Sequence, residues 1–191
     1  MKRVGILGGT FDPPHTGHLT LALEALQELD LDQVVWIPAA VSPHKMGQHI
    51  TAGSDRLEMV RLMTAQNEHF STDDREMNRP GPSFTIDTLE ELGWEWAETA
   101  LFLILGEDSL RSFERWQRPN DIRRLAKLVV YRRLDSGIDH LPEHDILLTG
   151  SPVSISSTEI RNRIHRGQAI DHLVISEVEA YIHAHGLYLS S

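Results

Sequence analysis

His15 and His18 stand three residues apart, with Gly17 between them and the pair Gly8-Gly9 a few residues upstream. An apolar run at residues 4–7 comes before, and apolar residues at 19, 21, 22, 23, 25, 26 and 29 come after. The first pattern reads as a buried strand ending in glycine, and the second as one broad face of a helix over 18–29. The segment Gly8-Gly9-Thr10-Phe11-Asp12-Pro13-Pro14-His15-Thr16-Gly17-His18-Leu19 therefore turns from a strand into a helix. Glycines at such a turn let main chain approach a ligand that a Cβ would hold away. The helix start adds N–H groups and the positive end of a dipole, which favour phosphate. Two histidines three apart can share one face there and donate hydrogen bonds to one group of phosphate oxygens. The bland alternative is a pair of polar helix caps. The glycine spacing is not G-x-G-x-x-G, no G-x-x-x-x-G-K-[ST] occurs, and the histidine pair lacks the spacing and glutamate of H-E-x-x-H.

A second segment, Ile155-Ser156-Ser157-Thr158-Glu159-Ile160-Arg161, suits the same ligand. Ser156 and Glu159 form a capping-box pattern. The hydroxyls and N–H groups of Ser156, Ser157 and Thr158 gather at the positive end of the helix, with Arg161 about one turn in. Arginine stays charged and presents a planar fork to phosphate. Read alone, this is an ordinary capped surface helix; its pairing with the first segment makes it a candidate site.

Together the two segments resemble the nucleotidyltransferases that share an H-x-G-H motif with class I aminoacyl-tRNA synthetases. Within that group the resemblance is to bacterial nicotinate-nucleotide adenylyltransferases, and it runs from about residue 3 to 189. It implies transfer of AMP from ATP to nicotinate mononucleotide, giving nicotinic acid adenine dinucleotide and pyrophosphate in NAD biosynthesis. It implies catalytic roles for His15, His18, Lys45 and Arg161, and ATP contacts from Gly8, Gly9, Thr10, Phe11, Gly106, Asp108, Ser156, Ser157 and Thr158. Lys45 lies in Ser42-Pro43-His44-Lys45, similar to the family's P-P-H-K but with serine for the first proline. Asp108 lies in Gly106-Glu107-Asp108-Ser109, similar to the family's G-x-D-S. Asp108 is the adenosine-side candidate, and Glu107 is expected to face solvent.

For the acceptor, Arg79-Pro80-Gly81-Pro82-Ser83-Phe84-Thr85-Ile86-Asp87-Thr88-Leu89 resembles R-x-G-x-S-Y-T-x-D-T-L, with Phe84 in place of the commoner tyrosine. Thr85 near a helix start offers N–H donors to a carboxylate, and Trp116 matches a family tryptophan that stacks on the pyridine ring. Gln117 replaces a frequent tyrosine. Trp94 and Trp96 read as surface or lobe packing. The implied cofactor is Mg²⁺, held mainly by phosphates and water rather than by a protein cage. The rivals are another member of the superfamily, such as a pantetheine-phosphate adenylyltransferase, and a nucleotide-binding protein without turnover. The block at residues 79–89 and Trp116 argue against the first; intact His15, His18 and Arg161 argue against the second.

The elements that must hold these residues alternate strand with helix. Strands are expected at 4–7, 34–37, 101–105, 128–131 and, more weakly, 145–148. Helices are expected from Ser54 as N-cap to about 66, over about 84–92, and in two capping boxes, Ser156 with Glu159 and Ser176 with Glu179, with Gly186 ending the last. Long loops are expected at 39–53 and 78–83. Such alternation implies an α/β, Rossmann-like doubly wound and mostly parallel sheet, with helices on both faces. One nucleotidyltransferase domain is expected over 1–191, its helical C-terminal part from about 154 to 191.

Composition narrows the partners. The chain has 191 residues, 40% apolar, and a formal net charge of -10. That charge argues against nucleic acid and anionic membranes as partners, which need a basic field. There is no cysteine, which excludes disulfides, zinc–thiolate sites and cysteine nucleophiles. The charged start is followed by an apolar run too short for a signal peptide, and no stretch approaches the roughly 18 apolar residues of a membrane span. A cytoplasmic protein is expected, with ATP and nicotinate mononucleotide as partners; assembly into a homo-oligomer stays open.

Overall fold

The computed structural model describes residues 1–42, 49–131, 145–148 and 155–189. Six strands form one sheet: β1 (Lys2–Gly9), β2 (Gln33–Pro38), β3 (Phe70–Thr72), β4 (Thr99–Gly106), β5 (Ala126–Tyr131) and β6 (Ile146–Leu148). Their order is β3-β2-β1-β4-β5-β6, and every neighbouring pair is parallel. The helices are α1 (Thr16–Glu28), α2 (Gly53–Thr64), α3 (Arg75–Asn78), α4 (Thr85–Glu95), α5 (Glu107–Ser112), α6 (Pro119–Leu125), α7 (Ser157–His165) and α8 (Ser176–Ala184). This is the doubly wound α/β arrangement that the alternation implied, with the sheet wholly parallel.

Side chains of successive strand residues point to opposite faces, and the central strands are apolar on both. Phe102 and Ile104 of β4 join Leu7, Val34, Trp36 and Val129 in a core closed by residues of α1, α2, α7 and α8. Leu101, Leu103 and Leu105 join Val4, Ile6, Val35 and Ile37 in a second core closed by Ile86, Leu89 and Leu92 of α4, Ile122 of α6 and Phe113. A parallel sheet needs both faces covered, and these two cores cover them. The strand order reverses between β1 and β4, and in such sheets ligands sit outside the carboxyl ends at that point. The glycines fall there: Gly8-Gly9 ends β1 and Gly106 ends β4.

Three local expectations are corrected. Ala52, not Ser54, is the N-cap of α2, and Ser54 is already helical. Ile175, not Ser176, caps α8, where no side chain accepts a capping bond and the Glu179 N–H is taken by the Ile175 carbonyl. The serine lies one residue too late, inside the first turn. The third correction, Glu107, belongs to the site. Ser156 does cap α7, its hydroxyl accepting the Glu159 N–H at 3.2 Å, and Gly186 follows α8 in the left-handed region at φ 60°. The edge strand β3 and the short helices α3, α5 and α6 were not read from the sequence. Each spans seven residues or fewer, too short for a periodicity to stand out.

Candidate active site

Strand β1 delivers the turn 8–15 to the start of α1, where His15 is the N-cap. The Phe11 main chain is left-handed, φ 51°, a region costly for a residue with a Cβ. Its ring folds back over Gly9, where an added Cβ would meet ring carbons at 3.0–3.2 Å. Phe11 as a whole is 2% exposed, its ring sunk in the first core. The ring packs beneath His18. It meets His18 edge-on at 5.0 Å between centroids and lies 5.5 Å from Trp36. Gly8 differs from Gly9, since a Cβ there would meet nothing within 4 Å; its bareness leaves open space at the strand end.

The imidazoles of His15 and His18 stack at 3.7 Å, so the two do share one face. The His15 main-chain N–H donates to Nδ1 of His18 at 3.2 Å. An Nδ1 that accepts leaves the proton of the neutral ring on Nε2, making Nε2 a donor. The start of α1 is also anchored from the far end of the chain. The Thr16 N–H and hydroxyl both donate to the Leu173 carbonyl, at 2.9 and 3.0 Å.

The second motif docks on the first. The Ser157 hydroxyl donates to the Pro13 carbonyl at 2.9 Å, and Nη1 of Arg161 donates to the Asp12 carbonyl at 2.7 Å. Nη2 of Arg161 reaches the Thr158 hydroxyl at the longer distance of 3.3 Å. The hydroxyls of Ser156 and Ser157 are thus spent on holding the site together. The donors this motif can offer a phosphate are the main-chain N–H groups of Ser157 and Thr158, which have no acceptor among the described residues, and the outer side of Arg161. Lys45 lies outside the described residues.

Gly106 ends β4 beside β1, and a Cβ there would meet nothing within 4 Å. Asp108 is exposed in the first turn of α5. Glu107, expected in solvent, is 3% exposed, and its Oε1 receives Nη2 of Arg111 at 2.6 Å. A helix beginning directly at the strand end turns its first side chain inward and its second outward, which inverts the expectation for Glu107.

On the other sheet face, Thr85 is the first residue of α4, after Phe84 as N-cap. Phe84 and Trp116 pack against the same second core. The Trp116 ring lies 5.4 Å from that of Phe113, and its Nε1 donates to the Ser112 hydroxyl at 3.2 Å. Trp94 is 89% exposed and Trp96 packs on the core edge.

Other residues of the acceptor motif turn inward. The Thr88 hydroxyl donates to buried Glu76 at 2.6 Å while accepting from Arg79 at 2.9 Å. Ser83 also hydrogen-bonds Glu76, and its hydroxyl accepts the Ala40 N–H at 3.0 Å. Burial pushes the Glu76 carboxyl above its ordinary range, against the opposing pull of Thr88, Ser83 and Arg79. Arg79, Ser83 and Thr88 therefore surround the buried Glu76 carboxyl.

Asp12, Arg56 and Tyr188 were not singled out from the sequence. Buried Asp12 accepts the Tyr188 hydroxyl on Oδ1 at 2.8 Å, and burial pushes that phenol upward. Arg56 is 2% exposed and, among the described residues, donates to main-chain carbonyls. A signal for it existed: Met59 and Met63, three and seven residues on, mark the buried face of α2, and Arg56 lies on that face. Tyr188 carries no such pattern.

The cytidylyltransferase-like family model matches residues 6–163. The chain belongs to this family. Among its relatives, "Probable nicotinate-nucleotide adenylyltransferase" of Roseiflexus sp. is 44% identical over 194 residues, covering 97% of each chain. The protein of the same name from Synechococcus sp. is 41% identical, covering 98% of this chain and 95% of its own. The Plasmodium falciparum nicotinic acid mononucleotide adenylyltransferase complexed with NaAD shares the fold, with a TM-score of 0.82 over 100% of this chain and 99% of that one, at 17% identity. Among the described residues no helix is long and apolar enough to cross a membrane.

Proposed function

We propose that the chain is a nicotinate-nucleotide adenylyltransferase, acting as one nucleotidyltransferase domain whose helical C-terminal part begins near residue 154. The observation that carries this reading is the docking of α7 on the turn 8–15 through Pro13 and Asp12, which sets two phosphate-binding helix starts side by side. The 5′-phosphate of nicotinate mononucleotide attacks the α-phosphorus of ATP and pyrophosphate leaves. The attacking oxygen is already anionic, so no general base and no covalent intermediate are needed. Rate comes from positioning and from donors aimed at developing charge. His18 Nε2, His15, Arg161 and Lys45 supply charge stabilisation. The N–H groups of residues 8–11 and 157–158 cradle phosphate, with the hydroxyls of Ser156, Ser157 and Thr158 bracing that cradle. Gly106 and Asp108 take the adenosine side, and Thr85 and Trp116 the nicotinate.

Mg²⁺ enters with the triphosphate, held mainly by phosphates and water. When bound, that ion neutralises charge on the phosphate oxygens. We place the protein in the cytoplasm, with ATP and the mononucleotide as its partners and no nucleic acid. The test is pyrophosphate release from ATP and Mg²⁺ across a panel of phosphate acceptors. Release with nicotinate mononucleotide alone is expected. Release only with another acceptor, such as phosphopantetheine, would overturn the acceptor, and no release with any would overturn the reaction.

A further inference from the structure

Arg56 is a buried charged side chain whose hydrogen-bond partners among the described residues are main-chain carbonyls, with the Asp12 carboxylate near enough to favour its charge. Its Nη1 donates to the Thr10 carbonyl at 2.8 Å and to the Ala39 carbonyl at 2.7 Å. Its Nη2 donates to Ala40 at 3.1 Å and its Nε to Thr51 at 2.9 Å. One guanidinium thus gathers carbonyls from the turn after β1, the exit of β2 and the approach to α2. Burying a cation is costly unless its donors are satisfied, and only a planar fork of five donors reaches several directions from one point. Among the described residues Arg56 makes no ion pair within hydrogen-bond distance.

The bond to Thr10 has a directional consequence. The Thr10–Phe11 peptide is trans, and in a trans peptide the N–H points opposite to the C=O. With the Thr10 carbonyl turned in to Arg56, the Phe11 N–H is turned to the opposite side. It has no acceptor among the described residues. That N–H is left as a donor on the side away from Arg56. The left-handed Phe11 main chain must also be held against its own preference.

We propose that Arg56 is a positioning residue: by fixing the Thr10 carbonyl it aims the Phe11 N–H at a phosphate oxygen of the bound nucleotide. The inference rests on the nucleotidyltransferase reading. It predicts that Arg56→Lys, which keeps charge but loses the fork, lowers kcat per folded molecule by about tenfold or more, as removal of an aimed donor does. The direct readout is the Phe11 amide in ¹⁵N-edited NMR, with α,β-methylene-ATP as the probe. In the parent protein the Phe11, Ser157 and Thr158 amides all shift on binding. In Arg56→Lys the Ser157 and Thr158 shifts persist and the Phe11 shift is lost. A variant that merely lost stability would keep all three in its folded fraction. Should Arg56→Lys not fold, Arg56→Gln with added guanidinium replaces it, and recovery of activity and of the Phe11 shift is expected. The proposal is overturned if the parent Phe11 amide does not respond while Ser157 and Thr158 do. It is overturned equally if the folded variant keeps kcat and KM within about twofold, or if guanidinium restores nothing. A parent protein that binds the probe but releases pyrophosphate with no acceptor would instead sink the reaction, leaving the Arg56 geometry to be judged by the amide shifts alone.

Discussion

On one face of the sheet, the start of α7 reaches the turn 8–15 through the carbonyls of Pro13 and Asp12, and Tyr188 and Arg56 secure the same turn from behind. On the other face, Trp116 is set by apolar packing on the core of Phe113, Leu89 and Leu92, Thr85 opens α4, and a carboxylate network at Glu76 lies nearby. The proposed phosphate side joins residues more than a hundred positions apart by polar bonds, from Ser157 and Arg161 to main chain and from Tyr188 to the Asp12 carboxylate. The proposed acceptor side is assembled mainly by apolar packing, with short-range polar bonds around Glu76. A polyanion needs donors aimed to within tenths of an ångström, which hydrogen bonds can specify. An aromatic ring needs a flat apolar wall, which packing can supply. Substitutions on the first side should therefore cost rate, and those on the second affinity or stability.

The largest effect is expected from His18→Ala. Removing one donor to a developing oxyanion costs about 10²–10³ in kcat, and this half-buried side chain should cost little in melting temperature. Near-parental turnover in the folded variant would break the contrast at its strongest point. Next comes Arg161→Lys. Loss of the fork removes either the Asp12 bond or the phosphate contact, and a charge-assisted bond is worth about 1.5–3 kcal/mol, so kcat/KM for ATP should fall about tenfold to a hundredfold. Unchanged ATP kinetics would reduce Arg161 to a structural strut.

The acceptor side sharpens the comparison by selectivity. Donors at the start of α4 favour a carboxylate over an amide, whose own N–H would oppose them. One such mismatch costs about 1–3 kcal/mol, so kcat/KM at saturating ATP should favour nicotinate over nicotinamide mononucleotide by at least about fivefold. Trp116→Ala should weaken both acceptors and leave that ratio nearly intact. A ratio near one in the parent would remove Thr85 from the site, and a ratio that collapsed in the variant would mean that Trp116 reads the carboxylate.

The smallest effect should come from Glu76→Gln, followed by denaturant unfolding across pH. Burial raises the folded-state pKa of Glu76 above its unfolded value. An acid shifted that way binds its proton more tightly when folded. Its contribution to stability is therefore largest below the unfolded value and is lost as pH rises through the folded one. Glutamine keeps an acceptor for Thr88 and has no proton to lose. The variant should gain on the parent as pH rises through that window, by about 1–2 kcal/mol at most. A constant difference across the window would show that Glu76 does not titrate there.

The strands and longer helices were legible because each carries a period that local sequence can display: residues 4–7 and 101–105 as unbroken apolar runs, α1 as a stripe from Leu19 to Leu29. The turn 8–19 stood out as a candidate phosphate site too, since glycines, a helix start and two histidines three apart state that chemistry locally. Sequence alone also determined that cysteine chemistry plays no part. Tertiary structure decided which donors remain for a ligand. Whether the Ser157 hydroxyl points to phosphate or to Pro13, and whether Glu107 or Asp108 faces inward, depends on which segment arrives beside it, and no local pattern records that. It also decided that Arg79, Ser83 and Thr88 brace a buried carboxylate, and that Arg56 and Tyr188 meet the same turn from α2 and the C-terminal end of the chain. Those contacts join residues 46 and 176 positions apart. Hydrogen bonds over such separations exist only once the sheet has brought the carboxyl ends of its strands together.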